Sequence, residues 1–182
     1  MATSVSFREA KPGDAPALGA LHVASWRETY AGLLPAQVLD GLSAEARSAM
    51  WSAVLDGPAA QGQAAVFVAE HHGAIVGFGA CGGQRDEALR ERDFGGEVGA
   101  NYVLRSYQRV GVGRSLMKLL ARNLSEQGRT AMSLWVLREN LPARAFYERL
   151  GGVLVGEKQD EEAGIKLTEV AYGWSDLSAL VR

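Results

Sequence analysis

The sequence contains a single cysteine, Cys81, in 182 residues. One thiol closes no intramolecular disulfide, so stability must come from a buried core, and a reducing cytoplasm is the expected location. Long apolar runs are also missing. None approaches the ~18 residues that a membrane-spanning helix needs, and the start Met1-Ala-Thr-Ser-Val-Ser-Phe-Arg-Glu lacks the basic-then-apolar layout of a secretory signal. Neither sign of charge dominates: 19 basic against 21 acidic residues give a formal charge of −2, with no global attraction for nucleic acid or an anionic membrane. Histidine is scarce as well. His71-His72 has no further ligands at metal spacing, which argues against a zinc site.

What remains is an ordinary globular composition, 47% hydrophobic and 22% charged, in a length that suits one domain over residues 1–182. No internal repeat or composition break argues for a second. Ser4 to Arg8 reads as a strand, and Lys11-Pro12-Gly13-Asp14 as a turn and cap into a helix from Ala15 to Tyr30. Pro35 opens a second helical stretch, broken into two pieces and ending at Gly57-Pro58. Ala64 to Glu70 and Ala74 to Ala80 form an antiparallel hairpin about His71-His72-Gly73. Gln84 to Gly96, rich in charge and glycine, reads as a mobile functional loop.

Val98 to Leu104 is the fourth strand. Gly111 to Gln127 is a helix whose Val112, Leu116, Leu119, Leu120 and Leu124 share a face. Met132 to Leu137 is a strand, Leu141 to Leu150 a helix closed by Gly151-Gly152, and Val153 to Gly156 with Lys166 to Gly173 are two strands about a solvated acidic tip, Asp160-Glu161-Glu162. The order is mixed α/β.

The chemistry concentrates after the fourth strand, in Gln108-Arg109-Val110-Gly111-Val112-Gly113. A strand, a Gly-x-Gly loop and a helix start can hold an anion, because glycines allow close backbone approach while free N–H groups of the first turn point outward. Two nucleotide loops are excluded. A P-loop needs Gly-Lys-Ser/Thr, where this chain has Gly113-Arg114-Ser115, and a dinucleotide fingerprint needs a third glycine where Leu116 stands. A second segment runs from Ser133 through Asn140, Ala143 and Tyr147 to Gly152; Asn140 and Tyr147 fall two helical turns apart, on one side.

Together these segments resemble the GCN5-related N-acetyltransferase (GNAT) family. The resemblance extends from Ser4 to about Trp174, with its specific motifs between Glu97 and Gly152. It implies a mostly antiparallel seven-stranded sheet flanked by helices, with splayed central strands, and a cosubstrate, acetyl-CoA. Its pyrophosphate would lie on Gln108 to Ser115, including Arg109, Val110, Val112 and Arg114, with Asn140, Ala143 and Tyr147 serving the same ligand. Backbone N–H groups near Val103 and Leu104 would address the thioester carbonyl. The chain departs from the family pattern at Arg105, often proline, at Arg109, commonly glycine, and at Gly99-Ala100-Asn101, where bulkier apolar residues are usual.

Acyl transfer to an amine needs a proton acceptor and a proton donor. Tyr147 is the candidate acid and Glu97 the candidate base, acting directly or through water. Trp26 and Tyr30, at i and i+4 on the first helix, are candidates for shaping the acceptor pocket, and Asp160-Glu161-Glu162 for attracting a cationic acceptor. His22, on the same helix face, reads as structural. Cys81 has no neighbouring histidine to activate it, which favours direct transfer in a ternary complex over a covalent acyl-enzyme. The acceptor is expected to be a primary amine of a small molecule, amino acid or peptide, and a homodimer is compatible with the family. A non-catalytic acyl-CoA sensor, or transfer of another acyl group or to another acceptor, satisfies the same motifs.

Overall fold

A computed structural model describes residues 4–57, 65–162 and 164–182. Met1 to Thr3, Pro58 and Ala64, used in the sequence reading, lie outside the described residues. The strands are β1 (Ser6–Glu9), β2 (Ala65–His71), β3 (Ala74–Gly83), β4 (Gly96–Val103), β5 (Met132–Leu137), β6 (Val153–Glu162) and β7 (Ile165–Trp174). The helices are α1 (Ala15–Tyr30), α2 (Ala36–Asp40), α3 (Ala44–Asp56), α4 (Glu87–Arg90), α5 (Val112–Glu126), α6 (Leu141–Arg149) and α7 (Ser178–Val181). The second helical stretch is indeed two pieces, separated where Ser43 starts α3 by accepting the Ala46 N–H at 3.1 Å.

The strands form one seven-stranded sheet in the order β1-β2-β3-β4-β5-β7-β6. Every neighbouring pair is antiparallel except β4 and β5. That parallel pair is joined at only two positions, Gly96 with Met132 and Glu97 with Ser133. Past them β4 follows β3 while β5 follows β7, so the sheet opens in the middle.

Helix α5 covers the sheet with most of the face its periodicity predicts: Leu116, Leu120 and Leu124 are wholly buried and Val112 nearly so, whereas Leu119 is only partly buried and Met117, not expected on this face, is wholly buried. Full burial of such a side chain contributes about 1.5–3 kcal/mol relative to exposure. The helix sits close because the sheet beneath it is thin at glycine. A Cβ on Gly79 would stand 2.8 Å from Leu120 Cδ1, too near for any larger residue without a shift. On the other side α1 and α3 pack together, with Leu18, Leu21, Trp51, Val68 and Phe78 in a second core.

Two expectations fail because neighbouring elements hold these segments in place, Leu89 and Phe94 packing on Ala131 and Ala171, and β7 pairing with the acidic run. The Gln84–Gly96 segment is packed down: Asp86 caps α4 by accepting the Leu89 N–H at 3.0 Å, and Leu89 and Phe94 are buried. The Asp160-Glu161-Glu162 run is strand rather than tip, since β6 continues through it in register with β7, Asp160 opposite Leu167 and Glu161 opposite Lys166.

Candidate active site

Strand β4 delivers the chain to the loop through one 3-10 turn, Arg105–Tyr107. That turn is pinned on both sides. The Arg105 N–H donates to Glu28 Oε2 at 2.8 Å, and the Tyr107 hydroxyl lies 2.8 Å from His71 Nδ1 in the β2–β3 hairpin. Gln108 Nε2 donates back to the Val103 carbonyl at 2.9 Å. Arg109 (φ +63°) and Gly111 (φ +93°) both adopt left-handed backbone, which favours glycine and leaves Arg109 strained. Val110 between them is largely exposed.

Gly111 is the N-cap of α5, and no side chain caps the helix. Ser115 is the first residue whose N–H turns inward, donating to the Gly111 carbonyl at 3.0 Å. The N–H groups of Val112, Gly113 and Arg114 are therefore left for an outside acceptor at the positive end of a 15-residue helix. The Val112 side chain is buried against Ala69 and Val76 and anchors this turn on the sheet.

Helix α6 meets the start of α5 here: a Cβ on Gly113 would stand 3.3 Å from Phe146 Cζ. Asn140 is the cap of α6, its Oδ1 accepting the Ala143 N–H at 3.3 Å. Two expected ligand contacts are thus changed in character, because the Ala143 N–H is already engaged and Asn140 shapes the helix with its oxygen. Tyr147, on the same helix, is buried among Phe146, Tyr172 and Trp174. Burial pushes its phenol well above the ordinary value, Tyr102 nearby adds to this, and Asn101 opposes it.

The opening between β4 and β5 needs one correction. The Leu104 N–H donates to the Val76 carbonyl at 3.0 Å, so it is not free for a ligand. Antiparallel strands alternate the direction of successive N–H groups. With Val103 opposite Gly77 and Asn101 opposite Gly79, it is Val103 and Asn101 that turn theirs from β3 toward the gap.

Beside the gap lies a cavity of about 300 Å³. Trp26 and Tyr30 line it, as expected, with ring centroids 4.8 Å apart in an edge-on pair. Tyr102 and Trp135 add two further rings, and Glu97 reaches it from the head of β4. The Tyr30 and Tyr102 hydroxyls are 3.3 Å apart, and burial raises both phenols, each adding to or modulating the other. Tyr147 does not line this cavity; its phenol senses Tyr102 from the side of α6.

Glu97 is not a free carboxylate. It accepts the Arg85 backbone N–H at 2.9 Å, Nε at 3.1 Å and Nη2 at 2.7 Å, which leaves about one of its four lone-pair positions. The bond to Glu97 raises the already high Arg85 pKa. Four side-chain atoms are buried without a hydrogen-bond partner among the described residues, Ser25 Oγ, Trp26 Nε1, His71 Nε2 and Asn101 Oδ1, and of these Trp26 and Asn101 lie nearest the cavity and the gap. Such atoms cost stability until a ligand or water satisfies them.

His22 is structural. Its Nδ1 accepts the Trp51 indole N–H at 3.2 Å, and burial, helped by Arg47, pulls its pKa down to about 4, so the ring is neutral. Cys81 is buried with its thiol pushed up to about 12 by desolvation, the opposite of an activated nucleophile. Among the described residues no group of three metal-ligating side chains occurs, and no helix is long and apolar enough to cross a membrane.

Sequence reasoning missed Arg85, Tyr102, Trp135, Lys158 and Glu169 in the cavity wall. For the last three the signal is period two: Trp135 and Leu137, Lys158 and Asp160, Leu167 and Glu169 each recur at i and i+2, placing them on one sheet face, whereas Arg85 and Tyr102 carry no such signal. Only the sheet order makes the three pairs neighbours.

Known proteins agree with this geometry. The model of the acetyltransferase (GNAT) family matches residues 23–152. The chain is 37% identical over 178 residues to an uncharacterized N-acetyltransferase, YuaI, of Bacillus subtilis (strain 168), covering 97% of this chain and 96% of that protein. Its fold is similar to PaiA N-acetyltransferase from Thermoplasma acidophilum in complex with coenzyme A (TM-score 0.70, 17% identity, 92% of this chain and 98% of that one). It is also similar to YncA, a putative acetyltransferase from Salmonella typhimurium with its cofactor acetyl-CoA (TM-score 0.64, 20% identity, 95% and 94% covered).

Proposed function

The chain belongs to the acetyltransferase (GNAT) family, and we propose that it transfers the acetyl group of acetyl-CoA to the primary amine of a small molecule, amino acid or peptide, directly and in a ternary complex. The observation that carries this is the uncapped start of α5. Three N–H groups, a left-handed Gly111 and the helix dipole converge there, a set of donors suited to a pyrophosphate. It adjoins a strand gap into which the Val103 and Asn101 N–H groups point, suited to the amides and thioester carbonyl of a pantetheine arm. The cosubstrate supplies the activated acyl group; Gln108 to Ser115, Val103 and the free donor side of Asn140 would hold it.

Attack by an amine on a thioester carbonyl forms the C–N bond, breaks the C–S bond and develops negative charge on oxygen and then on sulfur. The Val103 N–H, turned toward the gap, is assigned as the donor to the oxygen. Tyr147 is assigned to the sulfur, its phenol keeping its proton because burial disfavours the phenolate. Burial of the leaving sulfur would likewise disfavour its thiolate. With donor and acceptor both raised, proton transfer as the C–S bond breaks would stay accessible. Glu97 is assigned as the base through its remaining lone pair, directly or through water. Among the described residues no cysteine, serine or threonine lines the cavity, which supports direct transfer over an acyl-enzyme.

The lone, buried Cys81 supports a cytoplasmic location, and the charge balance supports a small or peptidic partner over nucleic acid or membrane. A homodimer is compatible with this reading. The test is amine-dependent release of free coenzyme A, followed with a thiol reagent. Saturable release with at least one amine supports transfer. Tight acetyl-CoA binding with no release across a broad amine panel would instead make the protein a sensor of the cofactor.

A further inference from the structure

The wall of the acceptor cavity built by β6 and β7 carries charge in register. One cross-strand row runs Leu137–Glu169–Lys158 over β5, β7 and β6, and the next is Leu167–Asp160. All five residues line the cavity. Lys158 is already satisfied, with Nζ 3.4 Å from Glu169 Oε2 and 4.3 Å from the centre of the Trp135 ring. An alkylammonium between a carboxylate and an indole face is thus a packing that this wall demonstrably accepts. Arg85 is likewise satisfied by Glu97. The two cations are each matched, and of three carboxylates Asp160 alone has no ion-pair partner among the described residues, its Oδ1 accepting only the adjacent Glu161 N–H at 2.8 Å. Three negative charges against two positive leave the cavity at −1.

We infer that the acceptor carries a second cationic group, distal to the reacting amine, and that Asp160 selects for it. This rests on the acetyl-transfer reading and narrows it to diamine-like or basic acceptors. Aromatic faces around the cavity favour a desolvated ammonium, and the matched Arg85 and Lys158 offer an acceptor carboxylate nothing without breaking an existing pair. Asp160 stands on the exposed end of the hairpin wall, where it contacts the far end of an acceptor. It is a specificity residue and not part of the transfer machinery.

The test compares three acceptors of equal chain length: an α,ω-diamine, a monoamine and an ω-amino carboxylate. In the wild type the diamine is expected to exceed the ω-amino carboxylate by about tenfold in kcat/KM. Asp160→Asn keeps the local acceptor for the Glu161 N–H and should cost the diamine about three- to fivefold through KM, leave the monoamine unchanged, and lose its effect at high salt. Asp160→Lys should invert the order of diamine and carboxylate. Equal use of all three acceptors, preference for the carboxylate, or an equal effect of Asp160→Asn on every acceptor overturns the inference. Should no amine be acetylated, titration of the same three compounds into the coenzyme A-loaded protein decides separately. Diamine-selective binding lost in Asp160→Asn upholds the charge selection while the transferase reading fails, and absence of such selectivity ends both.

Discussion

Replacing Gly111 and Gly128 by alanine separates the ligand role of a glycine from its folding role. Both residues flank α5, both have left-handed backbone (φ +93° and +80°), and a Cβ at either would meet nothing within 4 Å. The cost of each substitution is therefore backbone strain alone, about 1–2 kcal/mol for a non-glycine residue in this region. In a chain of this size that corresponds to a melting temperature lower by roughly 2–8 °C, similar for the two variants. Ligand binding should distinguish them. Relaxing Gly111 re-aims the first-turn N–H groups, and loss of one charge-assisted hydrogen bond, about 1.5–3 kcal/mol, weakens acetyl-CoA binding roughly tenfold or more. Gly128 lies at the far end of the helix and should leave the Kd unchanged. Calorimetric titration and thermal denaturation of both variants provide the assay. Equal losses of affinity, or no loss in either, would refute the assignment of the helix start as the anion site.

Tyr147→Phe should lower kcat by about 10²-fold or more while leaving the KM for acetyl-CoA near that of the wild type. Because burial raises the phenol's pKa, the wild-type kcat should not fall near pH 10, where an ordinary tyrosine ionises; a loss of rate there, or unimpaired turnover of the variant, removes the tyrosine from the mechanism. His22, held near pKa 4 in the fold against 6.5 outside it, binds its proton more readily when unfolded. Its contribution to stability is complete above pH 6.5 and is lost as pH falls toward 4. His22→Gln, which keeps an acceptor for Trp51, should flatten the melting temperature over that window. Gly19→Ala would bring a Cβ to 2.2 Å from Ser48 Oγ and 2.5 Å from its backbone nitrogen, and should destabilise the α1–α3 pair by about 1–3 kcal/mol, read by denaturant unfolding.

How much of this could be read from the sequence depended on the range of the interactions involved. The α5 stripe apart from Leu119 and Met117, the β2–β3 hairpin and the Gly111 loop follow from residues close in sequence, and all are where periodicity and turn chemistry place them. The β6 strand is not legible that way. Glu157 to Glu161 looks like a solvated turn until it pairs with Lys166 to Val170, and that pairing turns an acidic tip into the cavity wall. The same holds for Glu97: its position at the head of a strand suggested a base, but its Arg85 clamp depends on the fold of the Gln84–Gly96 segment. Leu104 shows the limit most sharply, since which of two adjacent N–H groups is free is decided by register with β3, a property no local pattern encodes.

The central claim is that coenzyme A binds across the start of α5 and the gap between β4 and β5. Backbone amide resonances followed by NMR during titration with acetyl-CoA test it residue by residue. The largest shifts are expected at Gly111 to Ser115 and at Asn101 and Val103, with smaller ones along α6 and none at the distant C-terminal end of α5. Shifts confined to other surfaces, or an unchanged spectrum at millimolar cofactor, would contradict the account.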